Sequence, residues 1–431
     1  MTAILNVSLM SLSLVILVFL PNFFDVYKTQ EIYSMSHTLS MDTLSVALSL
    51  LVLWVSLMSV MYISDKNSEA FKTNMLVLNA SLTLLMMLSF LLTDLFIFFV
   101  SYEISLIPIL FMVWGWGGSF KKSKAGVFLL LYTSVMSMPL LLGILITQKM
   151  LKCYTWGVME MYSHFSSFSS FIILFMMLAF FVKTPIYGLH MWLPKAHVEA
   201  STMGSMILAG SLLKMGIYGV LRVPFMHAST LVSSVVFLSV LTITIGGMCI
   251  SSVLMIMMYD GKIAIALSSV SHMNMLLASL MVFSLSSFSS SYLVSLSHGF
   301  ISPAMFFLFS MFYKSMKSRN IMLSRAATSM SCLSLVLMCF YVLMSNTGCP
   351  PSYNFWGEFT VFLTLLTFNP MFSVLPLFIT SMCILSSASF MFSRMTSGDI
   401  SFLKKWNMTP SNLYSLFFLL IPSLAFWKYP V

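Results

Sequence analysis

The chain has 431 residues, of which 59% are hydrophobic and only 8% charged, with a net charge of +9. A soluble domain carries roughly 25% charged residues to cover its surface, so a soluble fold is excluded. The apolar runs are continuous, which excludes the alternating pattern of a β-barrel, and the basic residues are scattered through short loops, which excludes a nucleic-acid binder and fits helix orientation in a bilayer.

Apolar runs of about 20 residues read as transmembrane helices. In chain order they fall at approximately 3–21, 41–63, 74–92, 94–114, 124–147, 168–188, 203–222, 231–257, 261–284, 289–313, 325–367 (one interrupted unit), 371–393 and 411–428, thirteen spans in all. The fold class is therefore an all-α polytopic membrane protein. The opening "MTAILNVSLMSLSLVILVFL" has no basic leader and no small-residue cleavage site, so it is expected to be a retained helix. The fourth span carries Glu103 in "SYEISLIPIL". The sixth, "FIILFMMLAFFV", runs directly into "KTPIYGLHMWLPKAHVEA". There Pro185 removes an amide donor next to Lys183 and breaks the helix, while "MWLPKAHVEA" reads as a turn in which Lys195, His197 and Glu199 reach water.

The seventh span holds Lys214 among Gly210, Gly216 and Gly219, small residues that let helices approach closely. His272 and His298 lie in the ninth and tenth. The eleventh is interrupted by "NTGCPPSYNFWGEF", with Pro350 and Pro351 at the break and Glu358 beyond it. Broken helices at membrane depth survive only inside protein or along a wet cavity. Two of them in separate halves, each with a charge, point to paired repeats with sites at the breaks. One integral domain covers 1–431: N-terminal helices over 1–73, paired repeats over 74–393, and a C-terminal loop and last helix over 394–431.

Loops after even-numbered spans hold fourteen Lys and Arg residues and those after odd-numbered spans, with the C-terminal end, hold five. This asymmetry places the N-terminus and the even loops inside and the C-terminus outside.

Inside the spans, Glu103, Lys183, Lys214, His272, His298 and Glu358 are ionisable, and each buried charge costs roughly 2.5–3.5 kcal/mol on insertion scales. Silent ion pairs or snorkelling side chains would explain any one of them. As a set they are the group types that exchange protons: carboxylates and lysines tuned by burial and by each other, and histidines that titrate near neutrality. His190 sits between the broken helix and the turn and joins the proton-transfer candidates. The six cysteines show no CxxC spacing, His190 and His197 lack H-E-x-x-H spacing, and no G-x-G-x-x-G occurs. Neither a metal site nor a cofactor site is expected. The 41 methionines are spread along the chain and read as compositional drift in a small AT-rich organellar genome.

"KTPIYGLHMWLPKAHVEA" with "GSMILAGSLLKMGIYG", then "SSVSHMNML", "LSHGFISPAMFF" and "PPSYNFWGEF" in that order, resembles the chain 4 family of the proton-pumping NADH–ubiquinone oxidoreductase, respiratory complex I. The resemblance implies antiporter-like inverted repeats and a place in the mitochondrial inner membrane, with the N-terminus on the matrix side and the C-terminus on the intermembrane-space side. It implies that Glu103 pairs with Lys183 in a first half-channel, that Lys214, His272 and His298 line a central axis, and that Glu358 is the exit-side proton carrier. It also implies that NADH, FMN, iron–sulfur clusters and ubiquinone belong to partner subunits, with other antiporter-like subunits and lipid as neighbours. "HVEAS" departs from the family's proline after the alanine, and the first helix is the one the thirteen-span pattern omits. A stand-alone Na⁺/H⁺ antiporter and a structural membrane spacer are the alternative readings.

Overall fold

In a hydrocarbon core no water is available to satisfy a backbone, so apolar runs of this length become helices. The computed structural model describes residues 33–34, 39–63, 69–118, 120–152, 155–156, 170–223, 235–316, 318–323, 333–396 and 410–425. The first expected span, and the basic residues Lys28, Lys404, Lys405 and Lys428, lie outside the described residues.

A two-residue ladder pairs Tyr33–Ser34 with Ser40–Met41 and leads into α1 (Thr43–Ile63). Then come α2 (Glu69–Leu91), α3 (Leu95–Ile104), α4 (Leu106–Trp116) and α5 (Lys122–Leu151). Pro108 lacks the amide that would bond Ile104, which explains the interruption between α3 and α4. Next are α6 (Ser170–Lys183), a break, α7 (Trp192–Glu199), and a span made of α8 (Thr202–Ile207), a π-helical turn at Leu208–Leu212 and α9 (Leu213–Arg222). The rest comprises α10 (Val235–Met257), α11 (Gly261–Leu280), α12 (Leu285–Met316), a 3₁₀ turn at Ile321–Leu323, α13 (Leu333–Asn346), a second break, α14 (Tyr353–Phe368), α15 (Pro370–Thr396) and α16 (Pro410–Ala425). Among the described residues, nine continuous stretches are long and apolar enough to cross a membrane.

The α8–α9 span, α11 and α12 are buried nearly along their whole length, whereas α2, α5 and α15 present Val, Leu and Phe side chains outward. The central helices are the ones that carry Lys214, His272 and His298.

Connections gather on two opposite faces. On one, the Gly118 amide donates to the Glu199 carbonyl (3.3 Å), Gly261 to Arg319 (3.1 Å) and Ile321 to Tyr259 (2.9 Å). On the other, at the far end of the α8–α9 span, Arg222 ion-pairs with Asp42, and Trp156 bonds to Thr93 (3.1 Å). The first face holds loops following even-numbered spans, the second those following odd-numbered ones.

Both breaks contain a glycine in the left-handed region, Gly188 (φ 99°) and Gly348 (φ 67°). Without water, polar groups freed at a break need protein partners. At the first break Asn274 on α11 supplies two: its Oδ1 accepts from the Tyr187 amide (3.1 Å) and its Nδ2 donates to the Pro185 carbonyl (3.2 Å). Trp192 Nε1 donates to the Val182 carbonyl (2.9 Å) at the end of α6. The broken helix is thus tied to the central helix α11.

α9 crosses α6 through its glycines. A Cβ on Gly216 would stand 2.8 Å from Thr184 Cγ2 and 2.9 Å from Lys183 Cβ, closer than carbon atoms pack. Gly216→Ala should therefore cost about 1–3 kcal/mol by overpacking, while Gly246→Ala on α10, where nothing lies within 4 Å of the added carbon, should be neutral or stabilise by about 0.5–1 kcal/mol. Thermal melts of the assembled membrane complex distinguish the two. Asn274→Leu, which leaves the half-buried Tyr187 amide without a partner, should cost about 1–3 kcal/mol and expose the 184–191 segment to backbone hydrogen exchange, measured by mass spectrometry.

Candidate functional site

Four ionisable side chains from separate elements form one line through the interior. Lys214 is 0% exposed, and its Nζ lies 2.9 Å from His298 Nδ1 and donates to the Ala209 carbonyl at 3.1 Å. Ala209 belongs to the π-helical turn immediately before α9. Such a turn accommodates an extra residue and re-aims the helix beyond it, and it recurs at functional sites. The His298 and His272 rings are 5.9 Å apart. His272 Nε2 lies 3.2 Å from Glu358 Oε1.

Proton positions follow from the partners. His272 Nδ1 is 2.8 Å from the Ser268 carbonyl, which only accepts, so Nδ1 carries hydrogen. Nε2 faces Glu358 Oε1, with Asn354 Nδ2 3.5 Å away, so a proton shared between ring and carboxyl would sit either on an imidazolium that donates to a carboxylate or on a carboxylic acid that donates to a neutral ring. Lys214 and His298 form a second such pair, ammonium with imidazole or amine with imidazolium. Positive charge on both imidazoles at 5.9 Å would cost about 3 kcal/mol at an effective dielectric of about 20. A proton on one ring therefore disfavours a proton on the other.

Asn354, one turn before Glu358 on α14, holds the end of this line. Its Nδ2 donates to Glu358 Oε1 (2.6 Å), and its Oδ1 accepts from Ser297 (2.9 Å). Gly348 lies against the Glu358 carboxyl, and any side chain there would collide with it. Glu358 is 22% exposed and opens on a cavity of about 310 Å³ lined by Met275, Phe362, Leu377, Thr380 and Ile384.

Lys183 is equally buried but lies off this line. Its Nζ sits 3.1 Å above the Tyr102 ring and donates to the Tyr102 carbonyl at 3.1 Å. Tyr102 is held by its own hydroxyl, which donates to the Ala179 carbonyl (2.9 Å). Glu103 follows Tyr102 and lies within electrostatic reach of Lys183, yet no oxygen of its carboxyl comes within 4.0 Å of Nζ. Its Oε1 is buried with no protein partner. Glu103 and Lys183 make no direct ion pair, and the Tyr102 ring and carbonyl are what the Lys183 amine touches.

His190 belongs to the break. Its Nδ1 accepts the Gly188 amide (3.2 Å), and its ring stacks on Tyr187 (4.8 Å). A nitrogen that accepts this bond loses it on protonation, so the position caps the break and joins none of the other six candidates. The expectation for the turn after it is corrected as well. Lys195 is exposed, but His197 is 0% and Glu199 8% exposed, because α7 packs against α11 and His197 stacks on Phe306 of α12 (4.5 Å). Asn274 and Asn354 escaped a search for ionisable groups alone. Their amides, in apolar spans, carry the same signal of polar side chains at membrane depth. Among the described residues no group of three or more His, Cys, Asp or Glu side chains is placed to hold a metal ion.

The chain has relatives. Residues 92–385 match the family model "NADH:quinone oxidoreductase/Mrp antiporter, TM". NADH-ubiquinone oxidoreductase chain 4 of Myxine glutinosa is 35% identical over 352 residues, covering 80% of this chain and 75% of its own. The protein of that name from Ceratitis capitata is 35% identical over 338 residues, covering 78% and 74%. A chain of respiratory complex I from Thermus thermophilus superposes with a TM-score of 0.83 at 18% identity, covering 97% and 90%. One from the Mrp complex of Dietzia sp. gives 0.77 at 16%, covering 92% and 75%. These last two establish a shared fold. With the family model spanning most of its length and relatives at 35% identity, the chain belongs to the NADH:quinone oxidoreductase/Mrp antiporter transmembrane family, among the NADH-ubiquinone oxidoreductase chain 4 proteins.

Proposed function

We propose that this chain is a proton-translocating subunit of the membrane arm of NADH:ubiquinone oxidoreductase in the mitochondrial inner membrane. It works beside other membrane-arm subunits, and the electron-transfer groups reside in partners. The name carried by its relatives supports the assembly. The observation that carries the chemistry is the line Lys214–His298–His272–Glu358, from a fully buried amine to a carboxyl that lines a cavity.

In this reading each pair holds one exchangeable proton. Lys214 passes its proton to His298 when the charge near it changes, and His272 accepts only as His298 gives up its own. Glu358 then carries the proton to the cavity, steadied by Asn354. Lys183, beside Tyr102 and Glu103, is the switch. As Glu103 approaches, Lys183 is held charged, and as it withdraws, burial favours the amine. The changed charge acts on Lys214 across Gly216, where the two helices touch. The lysine asymmetry of the loops supports placing the face with Gly118, Glu199 and Arg319 on the matrix side.

A stand-alone cation/proton antiporter needs the same buried groups, and the Mrp likeness keeps that reading as second. A chain purified alone that exchanges cations for protons in liposomes would favour it. Lys183→Ala and Glu103→Ala in assembled enzyme should slow pumping-coupled NADH:ubiquinone turnover by roughly a hundredfold or more. Wild-type rates of turnover and of proton uptake in vesicles holding the assembled variants would refute the proposal.

A further inference from the structure

Three helices place aromatic rings between the two buried lysines and the face that holds Arg222 and Asp42. On α9, Tyr218 follows Lys214 by four residues and Arg222 follows Tyr218 by four, so amine, ring and guanidinium succeed one another along one side of the helix. On α3, Phe98 stands one turn inside Asp94, and Tyr102, the ring under Lys183, one turn further. On α6, Phe180 precedes Lys183 by three residues. The crossing of α6 and α9 keeps this order, because Gly216 meets Lys183 and Gly219 meets Phe180.

The rings meet in one layer with Phe98 as its hub. The Phe98 centroid lies 6.1 Å from Tyr102, 6.1 Å from Phe180, 5.7 Å from Tyr218 and 5.8 Å from Trp156. Phe90, at the end of α2, closes on Tyr218 at 5.3 Å, and Tyr102 closes on Phe180 at 5.9 Å. All six rings are buried. The hydroxyls among them are turned to backbone carbonyls: Tyr102 to Ala179 (2.9 Å), Tyr218 to Phe90 (3.1 Å) and Ser101 to Phe98 (2.8 Å). No gap is left beside α9, since a Cβ on Gly219 would collide with the Phe180 ring. Polar character returns at the far side of the layer, with the Trp156 indole N–H and with Arg222, which lies 5.1 Å from the Tyr218 ring and is paired with Asp42.

We propose that this aromatic layer, held together by Phe98, is a proton-tight plug that seals Lys183 and Lys214 from the Arg222–Asp42 face. The proposal rests on the proton-translocating reading above, which puts that face on the intermembrane-space side, and adds what prevents the return of protons there. The barrier is thin. Asp94 and Tyr102 are eight residues apart, about 12 Å of helix, against a hydrocarbon core of about 30 Å. The membrane potential drives each proton back with about 2.3 kcal/mol per 100 mV, so a leak at this layer would dissipate the gradient. A proton crosses such a distance only along connected water, and an apolar constriction excludes water by dewetting. Rings suit the task because they are large and rigid and fill the space that the small residues of α9 leave between three helices.

The test uses the assembled enzyme in sealed vesicles, with a proton gradient imposed and no NADH. The unaltered enzyme should hold the gradient. Phe98→Gln puts a polar group at the hub and should let the gradient collapse, whereas Phe98→Leu keeps the layer apolar and should hold it. A gradient held by Phe98→Gln would overturn the plug. Equal collapse in both variants would assign the leak to lost packing and overturn it as well. Either result leaves the proposed function standing as long as Lys183→Ala loses NADH-driven pumping. Wild-type pumping in Lys183→Ala would overturn both, because no lysine would then need sealing. Should the Phe98 variants fail to assemble, hydroxyl-radical footprinting of the unaltered complex decides. Phe98 and Phe180 should stay unmodified while the exposed Phe120 reacts, and modification of Phe98 at the rate of Phe120 would overturn the plug.

Discussion

The structure depends on one constraint: in the bilayer core every amide and carbonyl must find its partner within the protein. Unbroken helices meet it by themselves. The two breaks do not, and the way they are satisfied organises the interior. Asn274 answers both the Tyr187 amide and the Pro185 carbonyl. Because Asn274 sits two residues beyond His272 on α11, the break after Lys183 is mechanically tied to the helix that carries His272. A shift at one is felt at the other through two hydrogen bonds.

The same constraint governs charge. Lys183 and Lys214 are both fully buried, yet they are stabilised in different ways. Lys183 has a ring face and a carbonyl, a setting that holds an ammonium without a fixed anion. Lys214 has a carbonyl and an imidazole that can take its proton. The first is suited to feel a moving carboxylate and the second to give up a proton when it does. In the proposed transfer, repulsion between the two imidazoles would let the line pass protons only one at a time.

Much of this was legible in the chain. Charges are so rare in the apolar runs that Glu103, Lys183, Lys214, His272, His298 and Glu358 stood out, and Pro185 and Pro350 marked the breaks. Asn274 and Asn354 did not stand out, since an amide carries no charge and Asn is common in loops. His190 and His197 share one short segment with two lysines and a glutamate, and nothing local separates them. Position 197 reads as wet beside Lys195. It is buried because Phe306, more than a hundred residues away, packs over it.

Sequence alone determined the class of molecule, the course of most spans, and which ionisable groups enter the membrane. Hydrophobicity and the cost of burying charge are local properties, so a one-dimensional reading reaches them. Tertiary structure decided the order of the line, the tyrosine ring set against Lys183, the amide clamp on the first break, and the burial of His197. Each of these depends on a contact between helices distant in the chain. For such contacts the crossing of α6, α9, α11 and α12 is the cause, and no periodicity within one helix records it.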